Sequence, residues 1–145
     1  MIVVADMGST KTDWSFVDTD KNIVKVSTKG FNPYFYSTEE IIVLLKSEFS
    51  KQTFNWNEIT NVYFYGSGCS SKDKQRIVKN ALLPFFPKAE LFISHDLLAS
   101  ARAVCGKNKG IACILGTGAN TCLFDGENII ANNPSLGFLL GDEGS

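Results

Sequence analysis

The chain has 145 residues, 44% hydrophobic and 20% charged, with a formal net charge of -1. That length allows one good core and is short for two domains of ordinary size, and the near-neutral balance gives no electrostatic case for nucleic acid or an anionic membrane. No apolar run is long enough to span a bilayer, and Met1 leads into a strand without a basic leader, so a cytoplasmic protein is the default expectation.

Ile2-Val3-Val4-Ala5 is short, apolar and β-branched, and reads as a buried strand. Asp6-Met7-Gly8-Ser9-Thr10-Lys11-Thr12-Asp13 follows, placing a carboxylate, a glycine, hydroxyls and a lysine within one tight turn. This is phosphate chemistry: Gly8 lets backbone approach an anion, the N–H groups of the turn can face phosphate oxygens, and Lys11 supplies a point charge. Asp6 at the strand end could hold Mg²⁺ through water. No Walker spacing and no helix pattern follow; Asp13 to Asp18 alternates polar and apolar, so the turn is expected to be a hairpin. Taken alone, the turn reads first as a plain β-turn with Gly8 at positive φ and solvated hydroxyls.

Lys21-Asn22 turns into a third strand, Ile23 to Thr28, completing an antiparallel meander. Gly30-Phe31-Asn32-Pro33 breaks the pattern. Ser37 or Thr38, with Glu39 and Glu40 behind it, starts a helix whose apolar positions are Ile41, Ile42, Leu44, Leu45 and Phe49. Asn61 to Tyr65 is a strand ending in Gly66-Ser67-Gly68, and a second amphipathic helix runs from Lys72 to about Leu83, with Ile77, Val78, Leu82 and Leu83 inward. Glu90 to Ser94 is a strand leading into His95-Asp96, and Leu97 to Cys105 reads as helix. The order βββαβαβα implies an α/β fold with a mixed five-stranded sheet, with ligand loops gathered where the parallel strands end, at Asp6, Gly66-Ser67-Gly68 and Asp96.

From Lys109 the first pattern restarts: strand Gly110 to Leu115, turn Gly116-Thr117-Gly118-Ala119-Asn120, strand Thr121 to Asp125, then Ile129 to Asn132. It reads as a second, shortened copy of the same unit, which divides the chain into lobes 1–107 and 108–145. So short a unit cannot bury its own core, and an apolar face is expected to stay uncovered. Cys69, Cys105, Cys113 and Cys122 form no C-x-x-C pair and read as buried thiols.

Two strand-turn-strand phosphate loops in two similar units would clamp a nucleotide from both sides. With Ser94-His95-Asp96 and Gly141-Asp142-Glu143-Gly144-Ser145, they make the sequence resemble the actin-like ATPase and sugar kinase superfamily. Within that superfamily, which has a ribonuclease H-like fold, it resembles the BadF/BadG/BcrA/BcrD-type, N-acetylglucosamine kinase-like family. The resemblance implies an ATP-dependent, Mg²⁺-assisted phosphorylation of an amino-sugar hydroxyl. Gly8, Ser9, Thr10, Lys11 and Thr12 would form the first phosphate loop, and Gly116, Thr117, Gly118 and Asn120 the second. Asp96 would be the general base, and Asn32, Ser67, Gly137 and Asp142 would contact sugar. It implies sugar and ATP as partners, no nucleic acid and no membrane, and leaves a homodimer open. The adenine-binding segment would lie beyond Ser145, so the 145-residue piece is expected to be inactive by itself.

Local readings stand beside these. Asp96 could be a helix N-cap, His95 a structural strand-end residue, and Gly66-Ser67-Gly68 a strand-to-helix turn. Phe31, Tyr34, Phe35 and Tyr36 could stack on sugar or pack beneath their loop, and Lys72-Asp73-Lys74 reads as a solvated helix face. Two competing functions remain: an ATPase that activates a partner redox enzyme, whose branch carries Gly-Gly-Gln-Asp where this chain has Gly116-Thr117-Gly118-Ala119, and a sugar- or nucleotide-binding module without catalysis.

Overall fold

The computed structural model describes residues 1–52, 55–115 and 119–133. By its contacts the chain forms two compact units, Met1–Asp96 and Leu97–Ser145.

In the first unit β1 (Ile2–Met7), β2 (Lys11–Val17) and β3 (Ile23–Lys29) make the antiparallel meander, and β4 (Asn61–Gly66) and β5 (Glu90–Ser94) extend it in parallel. The sheet order is β3-β2-β1-β4-β5, with β1 in the middle. Strict alternation gives β1 and β2 a core face: Val3, Ala5 and Met7 of β1 and Thr12, Trp14 and Phe16 of β2 are buried, while Ile2, Val4, Asp6, Lys11 and Asp13 face the other way.

Helices α1 (Thr38–Phe49) and α2 (Lys72–Leu82) cover that core face. Of the two expected starts Ser37 is the N-cap, with a capping box: its hydroxyl accepts from the Glu40 amide and the Glu40 carboxylate accepts from the Ser37 amide. Trp14 anchors the core, with Phe49 5.1 Å and Phe64 5.7 Å from it, and satisfies its buried indole N–H by donating to Thr28 Oγ1 at 2.9 Å. Leu83, expected inward, is exposed because α2 ends at Leu82 and the chain turns there. A short 3₁₀ turn at Trp56–Glu58 gave no periodic signal in the sequence.

α3 (Asp96–Cys105) starts at the last residue of the first unit, and in the second unit it contributes Leu97 and Ala101 to a small core with Ala112, Cys122 and Phe124. These come from the antiparallel sheet β6 (Gly110–Leu115), β7 (Ala119–Phe124) and β8 (Ile129–Asn133). β7 begins at Ala119, so Asn120 is a strand residue paired with Ile114 instead of part of the turn. The other sheet face is open, as its composition implies: Ile111 is 65% and Leu115 76% exposed. Among the described residues no helix is long and apolar enough to cross a membrane.

Candidate functional site

The carboxyl ends of β1, β4 and β5 fall in register, Met7 beside Gly66 and Tyr65 beside Ser94. Strand spacing of about 4.8 Å therefore gathers their following loops at one edge of the sheet.

At that edge Asp6 sits directly opposite Asp13 on β2, two like charges on one face. Asp13 is neutralised: Lys11 Nζ lies 2.8 Å from its carboxylate and Ser27 Oγ donates to it, and these contacts hold its pKa below the usual value. Asp6 has no comparable relief. Loss of water at the strand ends, then the charges of Asp96 and Asp13, push its pKa up, with Lys11 opposing them. A cation beside Asp6 would relieve this repulsion. This donor set suits a magnesium ion that keeps most of its waters, which needs no large cluster of protein ligands. Among the described residues no three His, Cys, Asp or Glu side chains gather into such a cluster.

Asp96 is the first residue of α3, inside the helix, where a carboxylate is favoured by the helix dipole. The preceding His95 is half-buried, and desolvation lowers its pKa against the pull of Asp96.

The turn after β1 is the expected hairpin, closed by Gly8 N–H donating to Lys11 O at 2.8 Å. Gly8 is not at positive φ, and a Cβ there would meet only Lys11 O at 3.6 Å. Neither the backbone nor packing among the described residues demands this glycine, which leaves the space above it open to an approaching anion. Ser9, Thr10 and Lys11 are exposed around it. Thr12 differs: its side chain alternates onto the core face, fully buried, and its hydroxyl donates to Lys29 O at 3.4 Å. The Lys11–Asp13 pair is exposed and worth under about 1 kcal/mol, so Lys11 is cheaply redirected to a ligand.

Gly30 escaped the sequence reading. Its N–H donates to Thr10 O at 2.9 Å, and a Cβ on it would lie 2.2 Å from Gly8 O and 2.5 Å from Lys11 N. The phosphate-type turn rests on this residue. Two positions on, Asn32 is half-buried, its Oδ1 accepting the Tyr34 N–H at 3.0 Å and its carbonyl accepting from Phe35 and Tyr36. Asn32 also lies against Gly68, where a Cβ would come 2.5 Å from Oδ1. Gly68 has φ +80°, and a Cβ on Gly66 would strike Met7 Cε at 2.6 Å, so turn geometry and packing account for both glycines. The Ser67 amide is taken by Met7 O at 2.8 Å. Of the loop aromatics, Phe31 packs inward, its ring centroid 6.0 Å from that of Phe64, whereas Tyr34, Phe35 and Tyr36 are exposed.

In the second unit Asn120 carries a buried Oδ1 with no hydrogen-bond partner among the described residues. Gly116, Thr117, Gly118, Gly137 and Asp142 lie outside the described residues. An apolar hollow of about 370 Å³ lined by Phe49, Trp56, Pro84 and Phe85 opens near the starts of β4 and β5, at the far end of those strands from Asp6.

No family model matches the sequence, nor does any curated protein. Solved structures do. A provisionally assigned N-acetylglucosamine kinase from Porphyromonas gingivalis is 43% identical, with a TM-score of 0.90 over 98% of this chain and 50% of its own. A second provisionally assigned N-acetylglucosamine kinase, from Chromobacterium violaceum, is 15% identical with a TM-score of 0.66 over 97% of this chain and 50% of its own. The ROK hexokinase of Thermus thermophilus gives 15% and 0.59 over 98% of this chain and 50% of its own. The chain has the actin-like ATPase fold. It spans about half the length of these structures, and the edge carrying Asp6, the Gly8–Lys11 turn and Asp96 belongs to the first compact unit of the actin-like fold.

Proposed function

We propose that this chain is the phosphate- and sugar-binding part of an ATP-dependent kinase acting on N-acetylglucosamine or a close relative, of the BadF/BadG/BcrA/BcrD-type branch. The observation that carries the proposal is the half-buried Asp6 carboxylate, close enough to feel the charges of Asp96 and Asp13, at the same strand-end edge as an open, glycine-containing anion turn. The 43% identity to a provisionally assigned N-acetylglucosamine kinase supports the choice of substrate class.

In this reading the amides and hydroxyls of Gly8, Ser9 and Thr10 receive the nucleotide phosphates, Lys11 leaves Asp13 to neutralise them, and Thr12 contributes backbone only. Asn32 holds sugar hydroxyls. Asp96 takes the proton of the attacking hydroxyl as that oxygen bonds to the γ-phosphorus, the bond to the β-phosphate oxygen breaks, and ADP leaves. Mg²⁺, held by Asp6 through water, would neutralise phosphate charge. The 108–145 segment would supply the second phosphate loop through Gly116, Thr117, Gly118 and Asn120, with Gly137 and Asp142 contacting sugar.

The test is ADP release by the full-length protein with Mg-ATP and N-acetylglucosamine, glucosamine, glucose or no sugar. Release that depends on one amino sugar is expected; release indifferent to sugar would indicate an ATPase instead, and binding without release a sensor. Asp96→Asn should lower turnover by about 10²- to 10⁴-fold while leaving nucleotide binding intact; retained turnover would remove Asp96 from the role.

A further inference from the structure

We infer that Lys74, on the first turn of α2, is a positioning residue that holds the Asn32 loop in its binding arrangement; this rests on the sugar-kinase reading above. A lysine here is not explained by the helix, because cations are disfavoured near a helix N-terminus. Nor is it the solvated residue that its charged neighbours imply. Lys74 is partly buried, its Nζ donates to Pro33 O at 3.0 Å, and the same ammonium lies 4.5 Å from the centre of the Tyr34 ring. The Tyr34 hydroxyl continues the contact to Ser70 Oγ at 3.3 Å. One ammonium thus grips the loop at the two residues after Asn32.

The next residue of the same helix turn grips the other side. Gln75 Nε2 donates to Cys69 O at 3.0 Å, fixing the turn whose Gly68 abuts Asn32. At its start the loop is pinned to the anion turn through Gly30. Asn32 is therefore held between the phosphate turn and α2, and Lys74 is the tie on the helix side. Because the Lys74 ammonium is engaged by Pro33 O and the Tyr34 ring, both on the Asn32 loop, its loss should be felt by the ligand of that loop rather than by the nucleotide.

The experiment compares full-length wild type, Lys74→Met and Lys74→Arg by sugar and ATP KM, kcat and amide hydrogen exchange. Lys74→Met should raise the sugar KM about tenfold, equivalent to about 1.4 kcal/mol, with kcat and the ATP KM within about twofold. Exchange at Tyr34, Phe35 and Tyr36, whose amides bond to Asn32, should accelerate. Lys74→Arg, which still donates and stacks, should restore both. An unchanged sugar KM, unchanged exchange, or an equal fall in kcat and melting temperature would overturn the assignment. If the wild type turns over no sugar, the kinase reading fails, and the exchange arm still decides whether Lys74 holds the loop.

Discussion

Replacing Gly30 by alanine tests whether the anion turn is built on that residue. The added methyl would lie 2.2 Å from Gly8 O, 2.5 Å from Lys11 N and 2.8 Å from the Thr10 carbonyl carbon. All three are backbone atoms that cannot rotate away. Gly30 is not at positive φ, so alanine fits its own backbone and the whole effect comes from crowding. The turn must move by on the order of 1 Å, which breaks the Gly30 N–H to Thr10 O bond. Overpacking costs about 1–3 kcal/mol and the lost hydrogen bond about 1 more, for roughly 2–4 kcal/mol together. At about 4 °C per kcal/mol for a chain of this size, melting should fall by about 8–16 °C, read by circular dichroism. Titration of the folded variant with Mg-ATP should show weakened binding. Gly8→Ala is the control: with its nearest described neighbour at 3.6 Å, it should change stability by less than about 0.5 kcal/mol yet still weaken nucleotide binding. A Gly30→Ala protein that melts and binds nucleotide like the wild type would refute the reasoning.

Because the folded protein raises the pKa of Asp6, its ionised form opposes folding at neutral pH, and that cost disappears below the ordinary value of 3.8. Without metal or nucleotide, Asp6→Asn should therefore melt above the wild type at pH 7, the gap closing as the pH drops toward 3.8; a gap independent of pH would exclude the charge cluster as its origin. The thiols should also separate under a soluble disulfide reagent. Cys113 is exposed and should react in the native state, whereas Cys69, buried and with its pKa pushed up to about 12, and buried Cys122 should wait for unfolding. Native-state labelling of Cys69 would show that the turn after β4 opens readily.

What the sequence displayed was everything with a local signal. Alternation exposed the meander, and Ser37 or Thr38 with the glutamates behind them marked the start of α1 to within a residue. The site's carboxylates were legible because strands that end in register place Asp6 and Asp96 at one edge. The parts that were not legible depend on contacts distant in the chain. Gly30 meets a turn some 20 residues earlier, and Lys74 reaches back 41 residues to Pro33. Thr12 could have been placed by alternation, since it shares its face with Trp14 and Phe16, yet its hydroxyl beside Lys11 invited a ligand role. A lysine on a helix's first turn was the one sequence cue to Lys74.

The strand that opens the meander ends up in the middle of the five-stranded sheet. β1 emerges from the ribosome with β2 and β3 close behind and can pair with them at once, but its other edge waits for β4, whose partner residue for Met7 is Gly66. At 5–20 residues per second that interval is about 3–12 s. α1 becomes available within it, but part of the sticky face formed by Val3, Ala5, Trp14 and Phe16 waits for α2, which follows β4 in the chain. The meander is thus a nascent-chain hazard as well as the seat of the anion turn, and its exposure during synthesis sets how strongly production of this protein leans on chaperones.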